Sequence, residues 1–273
     1  MTAITRNSFK YNFLKQIIMR LDFQGVLEPE LDKVLLDIKP YLKSIEFDRY
    51  EEKSNNEIDF NIVNGMPPKD NPIKEIRNMR VFSFTNENSG YTFDVSKKFI
   101  CLKINNENYT QFETYSKIFL NLVKAYKDKL DYFAMNRFGI RKINFCFFKD
   151  IDIVQQYFKK EYYNYSNFIP DTTILSSERR ESVAVGQSKL NLRYAIEQGT
   201  LETKDVYKVV LDSDIYLDNS DVIEKNIFNE ERVNELNEKL FESYKEALTQ
   251  DFIDILAGNK AIPSEIIGVG NNE

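Results

Sequence analysis

Residues 136–148 read NRFGIRKINFCFF. Apolar and aromatic residues dominate this stretch, as they do in a buried strand, yet two arginines flank a glycine near its start. On a strand, Arg137, Gly139 and Arg141 share one face and Phe138 and Ile140 the other. Ile143, Phe145 and Phe147 then fall out of phase with Phe138 and Ile140. A bulge near Arg141 or Lys142 would bring the two apolar runs onto a common face. The arginines therefore mark the polar end of a central strand, with Gly139 leaving a gap between their long side chains. A guanidinium inside a sheet needs a carboxylate of its own chain or of a ligand. Asp22, on an earlier strand candidate, and Glu113 are the internal partners expected.

Working outward, LKQIIMRLDF (14–23) reads as a first strand closed by Gly25. In the helix that follows, Leu31, Val34, Leu35, Ile38 and Leu42 form one stripe. Pro29 falls in its first turn, where proline is tolerated, and Pro40 is expected to kink or end it. Alternating stretches from Ile45 onward, a proline-rich loop at GMPPKDNPIKE, and the runs RVFSFTN, GYTFDVS and FICLKIN predict an antiparallel meander. Thr110 and Glu113 make a capping box for a helix whose apolar face carries Phe112, Tyr115, Phe119, Leu122 and Tyr126.

The second half repeats this order. A helix near IDIVQQYFKK precedes strand candidates SVAVGQ, KLNLRYAIEQ and DVYKVVLDSDIYL. A long final helix is expected from an Asn229 cap to a Gly258 stop, burying Val233, Leu236, Leu240, Tyr244, Leu248 and Ile255. The fold class expected is α+β: two related halves, 1–149 and 150–273, sharing one core, each an antiparallel sheet packed by an amphipathic helix. The matching segments are GYTFDV…FICLKINNENYTQFETY and KLNLRYAI…VVLDSDIYLDNS…EERVNEL.

Composition narrows the chemistry. The chain has 273 residues, enough for a sizeable core, and a net charge of −6, which disfavours a general polyanion binder. It has no histidine, so serine–histidine and cysteine–histidine catalysis and histidine zinc sites are excluded. Its nine glycines form no phosphate-cradling spacing. Cys101 and Cys146, the two cysteines, lie in apolar runs and read as reduced core residues. No cofactor is expected. Without a long apolar segment, the chain reads as cytoplasmic, with no membrane partner.

Three further stretches carry candidate chemistry. Asp212 and Asp214 alternate along a strand, so both carboxylates project to one face and could hold Mg²⁺ for a nuclease; Asp218 follows them at the strand end. Arg179 and Arg180, in SSERRES, suit a phosphate or a partner's carboxylate, or pair idly with Glu178 and Glu181. QQYFKKEYYNYSNF mixes Tyr162, Tyr163, Tyr165 and Phe168 with lysines, a composition suited to stacking bases or anchoring a protein.

Arg137, Gly139, Arg141 and Asn144 follow an aromatic-rich helix opened by NYTQFETY. That combination resembles the hallmark of a sporadically distributed family of uncharacterised bacterial proteins, over most of the chain's length. IIMRLDF and the late DFIDILAG are similar to the family's ends, whereas Met135, Lys142 and Ile143 depart from its pattern. The resemblance brings no activity with it. A sporadic spread implies genes on mobile elements, and so a non-catalytic binding or regulatory subunit of a bacterial defence or toxin–antitoxin type system. The expected partner is another protein, such as an effector encoded nearby, and a homo-oligomer is also expected. Single-stranded nucleic-acid binding through Arg137, Arg141, Asn144 and the tyrosine stretch, and a metal-dependent nuclease using Asp212 and Asp214, are the alternatives.

Overall fold

The computed structural model describes residues 8–60, 73–106, 111–165 and 173–271. Strands β1 (Tyr11–Asn12) and β2 (Leu14–Gln24) lead into helix α1 (Glu28–Ser44). A meander follows, β3 (Arg49–Phe60), β4 (Ile73–Asn86), β5 (Tyr91–Val95) and β6 (Phe99–Asn105), then α2 (Phe112–Lys127). The chain continues through β7 (Ala134–Phe148), α3 (Ile151–Tyr157) and a second meander of β8 (Ser176–Val185), β9 (Ser188–Leu201) and β10 (Lys204–Leu217). Helices α4 (Ser220–Asn226), α5 (Glu230–Glu246) and α6 (Gln250–Leu256) and the short strands β11 (Ile266–Ile267) and β12 (Gly270–Asn271) complete it.

These elements make an α+β fold around one large antiparallel sheet, ordered β3-β4-β5-β6-β2-β7-β10-β9-β8, with β11 paired to the end of β7. β1 and β12 form a separate pair. β7 and β2 lie at the middle, antiparallel to each other. β2 runs through α1 into a meander whose last strand, β6, returns beside β2; β7 runs through α3 into a meander whose last strand, β10, returns beside β7. A single hydrophobic cluster spans both segments and holds the buried apolar side chains of all six helices among the described residues.

Helix stripes fall where periodicity puts them. Leu31, Val34, Leu35, Ile38 and Leu42 are buried on α1, and Phe112, Tyr115, Phe119, Leu122 and Tyr126 on α2. α1 nevertheless passes through Pro40 to Ser44. The carbonyl that Pro40 leaves without its helical N–H is that of Leu36, whose residue is 68% exposed, so the loss falls on the solvent side of the helix. The capping box falls partly outside the described residues, because Thr110 is not among them; Gln111 is the N-cap. The proline-rich loop also lies largely outside them.

The long final helix is two helices. Asn229 caps α5 as expected, accepting from the Glu231 and Arg232 N–H groups. The helix ends at Glu246, however, and Thr249 recaps α6 with its hydroxyl. Leu248 pairs across this break with Phe158, and the Thr249 N–H donates to the Tyr157 carbonyl at 2.9 Å, so outside hydrogen bonds replace helical ones there. Gly258, at φ 78°, stops α6 in a conformation that side chains disfavour.

Candidate binding face

β7 divides its side chains cleanly. Phe138, Ile140, Asn144, Cys146 and Phe148 are buried on the helix side. Arg137, Gly139, Arg141, Ile143, Phe145 and Phe147 take the other side, in one unbroken alternation: the register with β10 runs without a shift from Phe138↔Leu217 to Phe148↔Tyr207. The bulge expected near Arg141 or Lys142 is therefore not there. The irregularities are in the pairing with β2: Lys15 is an extra residue of that strand, between Leu14, which pairs with Asn144, and Gln16, which pairs with Ile143, and earlier in β7 Asp22 pairs with Arg137 and Phe23 with Met135, leaving Asn136 as the extra residue. That bulge brings Met135 into the core phase of Phe138. Ile143, Phe145 and Phe147 are the half-buried apolar end of the polar face.

This second face carries a small apolar cluster, Val81, Phe99 and Cys101, to which no helix residue contributes among the described residues. Charge dominates the rest, arranged as neighbouring pairs of opposite sign. On β4 and β5, Ser83 donates to Asp94 at 2.6 Å, and the Lys103 ammonium on β6 reaches the other Asp94 oxygen at 2.6 Å. Burial would lower the Lys103 pKa, but hydrogen bonding and attraction to Asp94 outweigh it and leave the value raised. On β2, Arg20 donates twice to Asp22, at 2.8 and 2.6 Å, with its guanidinium 4.2 Å from the Phe99 ring centre.

Arg137 continues the series. It donates to Asp214 on β10 at 2.7 Å, lies 3.8 Å from Asp22, and covers the Tyr216 ring at 4.5 Å. Gly139 makes this possible: a Cβ there would come within 2.9 Å of Arg137 Nη1, so the guanidinium lies flat on the glycine. The gap expected between the arginines is thus filled by one of them. Arg141 grips Asp212 with two hydrogen bonds, 2.7 and 2.5 Å, in the fork geometry of a strong guanidinium–carboxylate pair. The bonds to Asp212 raise the Arg141 pKa against the opposing effect of burial.

Asp22 is a partner as expected, whereas Asp212 and Asp214 take the role expected of Glu113, which lies in the first turn of α2. Both aspartates do share one face, but each spends carboxylate oxygens on an arginine. Asp218 pairs instead with Lys189. Among the described residues, no three His, Cys, Asp or Glu side chains group as metal ligands would. Arg20, Asp22, Lys103, Arg137, Arg141 and Asp214 border a shallow concavity of about 380 Å³ floored by Gly139 and Cys101. Burial pushes the Cys101 thiol up to about 12, so it lines the floor as an inert apolar group.

The remaining candidates are placed differently. Asn144 is 4% exposed and donates from its side-chain amide to the Leu211 carbonyl at 3.0 Å, tying β7 to β10 on the helix side. Tyr163 is a core residue: its hydroxyl donates to the Val210 carbonyl at 3.0 Å, its ring packs on Phe158, and burial raises its pKa. Tyr162 stacks at 4.9 Å on Tyr194, and Tyr165 is half-buried against the core. The tyrosine stretch is therefore mostly packing; Phe168 lies outside the described residues. SSERRES is strand rather than loop, the start of β8, so Arg179 and Arg180 point to opposite faces. Arg180 pairs with Glu178, and Arg179 with Glu181 and the Glu161 carbonyl. Glu178 also accepts from Arg193 at 2.7 Å, and these guanidinium bonds lower its pKa.

No helix among the described residues is long and apolar enough to cross a membrane. No protein-family model matches the chain, and a search of the curated proteins finds no match.

Proposed function

We propose that the protein is a non-catalytic recognition subunit whose partner, another protein, docks on the charged face of the sheet. One observation carries this reading: Arg137 and Arg141 are neutralised within the fold by Asp214 and Asp212, on a face to which no helix contributes core. Asp212, with both oxygens bonded to Arg141, is a poor nucleophile, base or metal ligand, and Asp214 has one oxygen committed to Arg137. They are well suited to matching a partner's polar surface, since neighbouring charges of opposite sign specify register and reject like-charged surfaces. A role in a bacterial defence or toxin–antitoxin type system remains part of the proposal, and rests on the resemblance alone.

We propose also that the chain consists of two related halves. The repeated path, a central strand, a helix, a meander returning beside that strand, and a covering helix, supports this. On this reading β5, β6 and α2 correspond to β9, β10 and α5, the segments matched in sequence, and β7 opens the second half.

The test is capture on immobilised protein from nuclease-treated and untreated lysate, alongside an Arg141→Glu variant. A protein retained after nuclease and lost with the variant supports the reading. A single-stranded nucleic-acid reading has one observation in its favour: Lys15 and Lys208 flank the Phe145 ring on this face, at 5.4 and 4.6 Å. It requires oligonucleotide affinity that falls steeply with salt. Mg²⁺-dependent cleavage abolished by Asp212→Asn with Asp214→Asn would replace both readings with the nuclease.

A further inference from the structure

β8 ends the sheet, and its outer edge has no strand neighbour among the described residues. It is ten residues long, pairs with β9 without a register shift, and so offers a straight row of backbone groups. Such an edge normally needs protection, and charged side chains are a common means. The charges here have a more particular arrangement. Glu178 and Arg180, opposite in sign, flank Arg179 at equal distance on one face of the strand. We propose that the β8 edge pairs antiparallel with β8 of a second copy of this chain, across a twofold axis at Arg179, so that the two sheets become one.

The backbone narrows the register. Gln198 N–H donates to the Leu175 carbonyl at 2.9 Å, so the amide groups of Leu175 and of every second residue after it face β9. Those of Ser176, Glu178, Arg180 and Ser182 face the free edge. Residues directly opposite in an antiparallel pair must both point their amides across the gap or both away from it. An axis midway between Arg179 and Arg180 violates this. An axis through Arg179 satisfies it: Glu178 pairs with Arg180 of the second copy and Ser176 with Ser182, while Arg179, bonded to Glu181 of its own strand, meets its counterpart at the axis.

The same register matches the apolar side chains. Leu175 and Val183 are 72% and 41% exposed, unusually so for large hydrophobic residues in this molecule. They are equidistant from Arg179 and on the same face, so each Leu175 would lie opposite Val183 of the other copy. Arg180, now 74% exposed at its side chain and paired only with a neighbour on its own strand, would gain a cross-strand carboxylate. Amide direction confines the axis to a residue position, the charged pairs confine it to Arg179 or Arg180, and the exposed Leu175 and Val183 select Arg179; a second copy is the occupant that answers all three.

Sedimentation over a range of concentrations should show a monomer–dimer equilibrium for the native chain. Glu178→Arg and Arg180→Glu should each give monomers, since either sets like charges opposite one another. An equimolar mixture of the two variants should restore the dimer, because both cross-strand pairs become opposite in sign. Far-UV circular dichroism confirms that each variant is folded. Independently of charge, Arg179→Cys places two thiols across a non-hydrogen-bonded pair, where Cα atoms lie about 4.5 Å apart and a disulfide fits. That variant should oxidise to a covalent dimer, and a Glu181→Cys control should not. A native chain that stays monomeric at every concentration, equal cross-linking of both cysteine variants, or a dimer indifferent to the charge reversals overturns the proposal.

Discussion

The two faces of β7 are built from adjacent residues and obey different physics. Phe138 and Ile140, both 0% exposed, face a dry helix-covered core, where each buried side chain contributes on its own account. Arg137 and Arg141 face the other way, where each group contributes only while its partner is present. Asp212 shows the difference: its side chain is 10% exposed while that of Arg141 is 46% exposed, so the arginine is half in water and the carboxylate is not. Losing the arginine would strand the carboxylate, whereas losing both would strand nothing.

Substitutions can break or sharpen this contrast. The largest loss should follow Phe138→Ala, about 3–5 kcal/mol for an aromatic side chain removed from a close-packed site. It should appear as a lower urea midpoint with an unchanged slope; a loss comparable to that of surface variants would erase the distinction between the faces. Arg141→Met should cost about 1–3 kcal/mol, reduced from a fully buried pair by the arginine's exposure. Adding Asp212→Leu should recover much of this, and a double-mutant cycle measures the coupling directly. If the double variant is as unstable as the sum of the singles, the pair is not acting as a unit.

Gly139→Ala should have a smaller effect, about 1 kcal/mol or less, because the atom its Cβ meets is the mobile end of Arg137. Its signature is indirect: Arg137→Met should cost less in the Gly139→Ala background, where the guanidinium has already been displaced from Asp214. Smallest of all is Glu178→Gln, on an exposed strand edge. The Glu178 pKa is lowered from 4.5 by Arg180 and Arg193, so its ion pairs stabilise the fold above the unfolded value and fade as pH falls through the folded one. Thermal unfolding of native and Glu178→Gln protein should therefore converge in acid; a gap that persists there would assign the effect to shape rather than charge.

Local periodicity made the helix faces legible, and α1, α2 and α5 bury the residues their spacing nominates. What depends on distant chain was harder to read. Nothing in NRFGIRKINFCFF names Asp212 and Asp214 as partners, because sheet register is decided by strands far apart in sequence. The same strand misled on its bulge: Ile143, Phe145 and Phe147 look like core by composition, but they form the apolar end of the open face, shielded in part by Lys15 and Lys208. Tyr163 reads as surface because tyrosines and lysines alternate there, yet a turn after α3 folds its ring under β9 and β10. The helix break at Ala247–Thr249 follows from contacts with α3 and its C-terminal end, which no window of local sequence contains.

The central position of β7 also bears on how the chain reaches this state. β2 emerges early in synthesis, but the strand that completes it arrives only after the whole first meander and α2, and the aspartates that neutralise β7 arrive later still. A nascent chain ending before β10 therefore leaves Arg141 without its carboxylate and Arg137 with Asp22 alone. Such topology favours slow, late-closing folding and a growing polypeptide that needs chaperone shelter until its final third is made.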